Sequence, residues 1–332
     1  MPYKWLGMMA LALMTTCFSV RAQTGATVYS SDAVDWKLTA PNSYTTGAQS
    51  PVLFLNVSAD EDGQIYVANL WSVLIYDAET GRLEDAIVDN SGTVQQYDDA
   101  EAVGDGTVWV ADSKTHNAYL LDQEGNVLVT IPPVTPDNAN TEISPSELEL
   151  GPDGNLYALY STQNTVMQVF TPEGEFVRSF TMGDSSLSSG VIDFAFAPDG
   201  NLYIAGVGTI RILDTEGNIV VENFAEDFLA ADDIAIRGIA VDADGNVYFG
   251  GNSNASVFAT DDPLVAAVYK FDAEGNFLAQ FGKGQQRTDW GLEFQAEELG
   301  FAVSLAILPE GQVIVSDANG AYSQLFRVDM TG

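Results

Sequence analysis

The sequence has one cysteine, one histidine and only twelve basic side chains in 332 residues. Cys17 falls inside the first 22 residues, where Lys4, an apolar run from Trp5 to Met14 and then Val20-Arg21-Ala22 read as an export signal that is removed. Met14-Thr15-Thr16, just ahead of it, lack the Leu and small-residue pattern of a lipid-attachment site. The exported chain, residues 23–332, then has no cysteine, which excludes disulfides, thiol catalysis, iron–sulfur clusters and cysteine-based zinc sites. A single histidine, His116, cannot build a multi-histidine zinc centre. Lys4 and Arg21 leave with the signal, so ten bases face 47 acids and the formal charge is −37. Ten scattered bases make no phosphate-binding stripe, which excludes nucleic acid and anionic membranes as partners. No later apolar run approaches the roughly 18 residues of a membrane span, so no transmembrane anchor is expected. The sequence predicts a soluble monomer that is secreted or periplasmic. Dense carboxylate also suits a saline habitat.

Apolar residues make up 46% of the chain, with 17 Phe, 13 Tyr and 5 Trp, ample for a large core. An acid followed by Gly recurs at Asp62-Gly63, Asp105-Gly106, Asp153-Gly154, Asp199-Gly200, Asp244-Gly245 and Glu310-Gly311. Three residues after each Gly stand Tyr66, Trp109, Tyr157, Tyr203, Tyr248 and Ile314. The spacing is that of a repeat architecture. In Pro152-Asp153-Gly154 and Pro198-Asp199-Gly200 the Pro presets the turn and Gly takes its left-handed position, so each signal is a hairpin between two apolar strands, a and b. A second turn in each unit, such as Asp122 to Gly125 or Asp272 to Gly275, joins strands c and d. Five outer d strands follow; the sixth turn coincides with the end of the sequence at Gly332. The missing strand is supplied from the other end, where Val34-Asp35-Trp36-Lys37-Leu38 alternates apolar and polar residues and can pair beside Gln324 to Val328.

The predicted fold is therefore all-β: one six-bladed β-propeller of four-stranded antiparallel blades, closed by an N-terminal strand near 33–38 that completes the last blade. The blades lie near 52–88, 98–132, 146–180, 191–224, 236–282 and 301–332. Gly238-Ile239-Ala240-Val241-Asp242-Ala243-Asp244-Gly245-Asn246-Val247-Tyr248, followed by Val268-Tyr269-Lys270-Phe271-Asp272 and Glu274-Gly275-Asn276-Phe277, resembles an NHL-repeat blade. That group belongs with the wider set that includes the SMP-30/gluconolactonase-like propellers. The resemblance extends unevenly over all six units and is strongest in blade five.

In such a blade the a–b and c–d turns share one face. The longer b–c and d–a loops share the other, where binding is expected. Seven residues before each hairpin Gly, the repeat predicts a channel ring of Asn56, Asp99, Glu147, Asp193, Gly238 and Ser304. Hard oxygen donors in a ring suit Ca²⁺ or another divalent cation, with Asn56, Asp99, Glu147 and Asp193 as ligands. The gluconolactonase resemblance implies a channel metal that activates lactone or ester hydrolysis, with Asp98 or Asp99 as base. That family's ligands, however, fall one residue earlier, where this chain has Leu55, Asp98, Ser146, Ile192, Arg237 and Val303. Solvation of these acids, or pairing with Arg237, is the alternative. His116, on the b–c loop of blade two, is a second candidate base. Asp60-Glu61-Asp62-Gly63 and Asp242-Ala243-Asp244-Gly245 lack the spaced ligands of a calcium loop and read as turns. Trp290 with Arg287, on the long loop before blade six, is a candidate contact on the binding face, as is Arg237. Two functions remain open: a secreted propeller that binds a protein, peptide, glycan or small molecule without catalysis, and a metal-dependent lactonase or esterase.

Overall fold

A computed structural model of the chain describes residues 27–29, 33–41, 55–133, 143–160, 165–181, 191–206, 208–232, 234–253, 266–284, 298–299, 304–318 and 322–331. Six antiparallel sheets follow one another around a central axis. Their inner strands are Val57–Ala59, Asp99–Ala102, Glu147–Leu150, Val191–Phe196, Ile234–Val241 and Ser304–Ile307. Blade two shows the plan: inner strand Asp99–Ala102, then Val108–Asp112, Asn117–Leu121 and the outer strand Val127–Ile131, each paired to the one before.

The hairpins close as their sequences require. Gly106 and Gly154 sit at φ of 86° and 76°, and the Gly154 amide donates to the Gly151 carbonyl at 2.9 Å. The tyrosine three residues beyond the hairpin Gly of blades one and five serves two ends at once. Its ring is buried between blades, while the hydroxyl reaches back to the turn: Tyr66 to Asp60 at 3.1 Å and Tyr248 to Asp242 at 3.0 Å.

Both faces of each blade are covered by neighbours, so the middle strands are apolar throughout rather than alternating. Leu156–Tyr160 is buried at every position. Adjacent residues feed opposite clusters: Tyr66 packs with Val108 and Tyr119 of blade two, and Ile65 with Ile314 and Leu325 of blade six. Six such clusters fill the six gaps between blades, so the core is a ring of wedges around the channel. The c–d turns lock into this ring. A Cβ on Gly125 would lie 2.0 Å from the carbonyl oxygen of Val88, at the end of blade one's outer strand. Glycine is needed there for close approach as well as for its φ of 80°.

The closing strand is present as Val34–Pro41, antiparallel to Tyr322–Val328 with Lys37 opposite Phe326. The Trp36 indole Nε1 and Arg327 Nη1 both donate to the Ala78 carbonyl of blade one, each at 2.9 Å. Arg327 Nε also pairs with Asp35 at 3.1 Å, so the blade-six side of the closure is held by charge as well. Three elements were not expected from sequence. Lys283–Gly284 pairs in parallel with Glu298–Leu299 between blades five and six. Thr27–Tyr29 adds a fifth strand, parallel, to the outer edge of blade five, and Glu226–Asp232 forms a short helix between blades four and five. Residues 1–22, the expected export signal, lie outside the described residues.

Candidate functional site

The inner strands all begin on the loop-bearing face, and their alternate residues point at the axis. They enclose a cavity of about 200 Å³. Five carboxyl groups line it, Asp99, Glu101, Glu147, Glu149 and Asp193, all from blades two to four, and among the described residues no Lys or Arg does. The opposite side is small and uncharged, with Ala240, Ser304 and Ala306. The acids form two tiers, because Glu101 and Glu149 stand two residues beyond Asp99 and Glu147 on the same strand face.

The geometry gives these acids a structural task. Asp99 accepts the Leu148 amide of blade three at 2.6 Å and the Ala100 amide at 2.8 Å. Asp193 accepts the Ile239 amide of blade five at 2.8 Å and the Phe194 amide at 2.7 Å. In the second tier Glu101 accepts from Leu150 and Glu149 from Phe196, each at 3.1 Å. Ser58 and Ser304 play the same part at Ala102 and Val57, at 3.0 and 3.2 Å. A side chain of one blade thus satisfies an inner-strand amide of the next, which an isolated short strand would leave without a partner. Asn56 reaches across blade two to donate to Glu147 Oε2 at 2.9 Å.

Desolvation dominates the electrostatics. It pushes the Asp99 and Asp193 carboxyls up to about 7, against the opposing pull of the amides that they accept. Glu101 rises to about 8 for the same reason, with Asp99 adding repulsion. Glu147 and Glu149 stand well above the ordinary range, held there by burial and then by their acidic neighbours. Burial thus favours the protonated form of all five carboxyls.

The carboxylates expected to hold a divalent cation are engaged with other groups here. Asp99 and Asp193 already use both oxygens on backbone amides, and the Asn56 amide nitrogen faces Glu147. Among the described residues no three acid, His or Cys side chains are grouped so as to hold a metal ion. The expected ligands Asn56, Asp99, Glu147 and Asp193 do share the axis, but as a hydrogen-bonded frame.

Asp98 points away from the channel. Its Oδ2 accepts the Ser113 amide at 2.7 Å and its Oδ1 the Gln96 side chain at 2.5 Å, so it ties two loops together rather than standing free as a base. His116 sits in the b–c turn of blade two at a φ of 61°, with Nδ1 enclosed and without a hydrogen-bond partner. No hydrogen bond or ion pair joins it to Asp98 or Asp99 among the described residues. Arg237, half-buried beside Gly238, makes no ion pair with the channel acids among the described residues. Arg287 and Trp290 lie outside the described residues.

Sequence reading missed three groups on the loop face. Asp89 and Asp112 are buried and cap their loops: Asp89 holds Ser91 and Val94, and Asp112 holds Gln95, Lys114 and Thr115. Trp71 is the third, with 63% of its surface exposed. The turn face has its own cavity, about 870 Å³, bordered by Asp60, Asp242, Glu310 and Lys270. Its Asp60 and Asp242 are turn acceptors, Asp60 for the Asp62 and Gln64 amides and Asp242 for those of Asp244 and Asn246.

Comparison with known proteins agrees with this architecture. A family model described as a beta-propeller repeat matches residues 230–259, which take in the a–b hairpin of blade five. No curated protein matches the sequence. Streptogramin B lyase is similar in structure, with a TM-score of 0.53 at 12% identity over 88% of this chain and 98% of that one. A calcium-binding protein, regucalcin, from Agrobacterium tumefaciens is similar with a TM-score of 0.55 at 15% identity, over 83% and 91% of the two chains. A protein of unknown function from Bacteroides caccae gives 0.50 at 18% identity, over 68% and 80%. The chain is a six-bladed β-propeller. At these identities the likeness is one of fold, and a propeller's activity resides in its site. Among the described residues no helix is long and apolar enough to cross a membrane.

Proposed function

We propose that this propeller is an exported binding protein that engages its ligand through the loop-bearing face and performs no chemistry of its own. The observation that carries this reading is the construction of that face over blades one and two. The carboxylates of Asp89, Asp98 and Asp112 all turn inward onto loop amides, so the loops form a fixed platform. The same use of acids as acceptors for backbone amides, at Asp99 and Asp193, supports a structural role for the channel carboxylates. Regucalcin is described as calcium-binding, and that likeness is the ground for a second reading, a metal-dependent hydrolase.

The absence of cysteine after position 17 makes a face-by-face test direct. Lys114→Cys, in the b–c turn of blade two, and Asp199→Cys, in a hairpin of the turn face, can each be tagged with a polyethylene glycol maleimide. Capture of the mature protein on envelope preparations from the source cells is expected to be lost with the tag at 114 and kept with the tag at 199. The reverse pattern would overturn the reading. A second measurement addresses the metal. After exhaustive chelation, adding back Ca²⁺, Mg²⁺, Mn²⁺ or Zn²⁺ is expected to move the melting temperature by less than about 1 °C, since a ligand bound only by the native state stabilises it in proportion to occupancy. An ion-specific rise, abolished by Glu147→Gln together with Asp193→Asn, would favour the hydrolase.

A further inference from the structure

Trp71 combines two unfavourable features that the fold itself does not need. It is the most exposed of the large apolar side chains among the described residues, and Leu70 beside it is a non-glycine residue at a φ of 72°, in the left-handed region. Such strain persists only where the surroundings enforce it, and it gathers at functional positions. Here the enforcement comes from three sides. The Asn69 side chain accepts the amides of Trp71 and Ser72, at 3.0 and 2.9 Å, and the Ser72 hydroxyl at 3.1 Å. Leu70 and Tyr97 exchange both backbone hydrogen bonds at 3.1 Å, which fastens the turn to the loop that leads into blade two. Tyr97 is in turn held by the Asp89 amide through its hydroxyl at 2.7 Å. The backbone that carries the indole is thus held fixed, and the indole stands out into solvent.

The neighbouring loop decides the chemistry of the ligand. Its acids, Asp89 and Asp98, face inward as acceptors of loop hydrogen bonds, and its outward residues are uncharged. Asn90, Ser91, Thr93 and Gln95 are exposed, and Gln96 is half-exposed. The turn that carries the indole is bridged to a loop whose exposed side chains are amides and hydroxyls, and this pairing suits a neutral ligand with one apolar face and a rim of hydroxyl groups. A pyranose ring has that form: its C–H face lies on an aromatic ring and its hydroxyls both donate to and accept from Asn, Gln, Ser and Thr. A basic peptide would instead be met by outward carboxylates. We infer that Trp71, with the 90–96 loop, forms a stacking site for a neutral saccharide. This names the ligand class of the loop face and rests on the binding reading above.

Titration of the mature protein with neutral hexasaccharides, the β-1,4- and β-1,3-linked glucans, the xylan and the chitin series, followed by calorimetry and tryptophan emission, is the test. At least one series is expected to bind saturably. Trp71→Ala should weaken that binding roughly tenfold or more and Trp71→Tyr should restore much of it, as expected of a stacked contact residue. The melting temperature should be unchanged by either, since the side chain supports no core. Three results would overturn the inference: no saturable binding in any series, equal binding by Trp71→Ala, or Trp71-dependent binding of an oligolysine peptide without any of sugar. If the tag at position 114 blocks capture while Trp71→Ala leaves it intact, the loop face still binds and only the saccharide site falls.

Discussion

Replacing Asp99 with Ala is expected to destabilise the folded protein by about 2–4 kcal/mol, although Asp99 looks from sequence like a ligand or base that could be removed without harm to the fold. Its two oxygens accept the amides of Ala100 and Leu148, both buried. A buried amide left without an acceptor costs about 1–3 kcal/mol. Water in the adjoining cavity offsets part of this, and so does relief of repulsion with Glu147. For a domain of this size the loss should lower the melting temperature by roughly 3–6 °C. Asp99→Asn keeps one acceptor and should fall between. Glu173→Ala, at an exposed turn position, serves as the surface control. Thermal and urea melts of the three variants decide the matter. A change below about 0.5 kcal/mol for Asp99→Ala would show that the ring carboxylates do not hold the blades together, and Asp99 would again be a candidate base or ligand.

The frame of this molecule was legible because its signals are local. A turn needs Asp or Pro and then Gly within four residues, and six repetitions fix the register of every strand that follows. Counting from Gly106 to Asp99, or from Gly200 to Asp193, then picks out the axis because a strand alternates its faces with a period of two. The same count, taken two residues further, gives Glu101 and Glu149. They were as readable as the first tier, being acids at positions where the neighbouring blades place Ala195 and Ala240. What the ring acids do was not legible. Leu148, which Asp99 serves, lies 49 residues away in the chain, and Ile239 lies 46 from Asp193. Only the assembled ring brings an amide of one blade under a carboxylate of the last. Trp71 was hidden for a related reason, since exposure is a property of the fold, and a Trp between two apolar strands reads as core. Thr27–Tyr29 was hidden because three residues are too few to carry a periodic signal.

The two halves of the channel sharpen the functional reading. Its acidic side joins blades two to five through carboxylate acceptors, and Ser304 and Ser58 carry the same link from blade six to blade one and from blade one to blade two, whereas blades five and six meet through apolar packing. The acids are therefore part of how the blades are held together. What remains unaccounted for by the fold lies at the loop ends of blades one and two, where strain, exposure and capped loops coincide around Trp71.

Stability is expected to fall as pH rises from about 5 to about 8, the reverse of what ion-paired carboxylates would give. The sign follows from the direction in which burial moves the carboxyls. Asp99, Asp193 and Glu101, with ordinary values of 3.8 and 4.5, stand at about 7 to 8 in the folded chain, and Glu147 and Glu149 also stand well above 4.5. Across that window the folded chain holds protons that the unfolded chain has released, so raising the pH favours unfolding. Their contribution is complete below about pH 4 and is lost as pH passes through the folded values. Hairpin acids such as Asp105 and Asp153 are lowered by the turn amides and side chains that bind them, and their contribution disappears only below about pH 4. The optimum should therefore lie near pH 4–5.5. A tenfold change in a group's proton affinity on folding corresponds to about 1.4 kcal/mol. Because the five groups share one water-accessible cavity, a combined effect of about 3 kcal/mol is expected, or roughly 5 °C in melting temperature. Glu101→Gln with Glu149→Gln should flatten the profile and raise stability at pH 8, since Gln is neutral throughout. General repulsion among 47 surface and channel acids has the same sign, but it is screened at 1 M salt, where the Debye length is about 3 Å. A slope that persists in 1 M NaCl and is reduced, though not abolished, in the double variant belongs to the channel, where Asp99, Asp193 and Glu147 still titrate. A slope that vanishes with salt, or a profile that rises toward pH 8, would show that these carboxyls are already ionised in the folded protein.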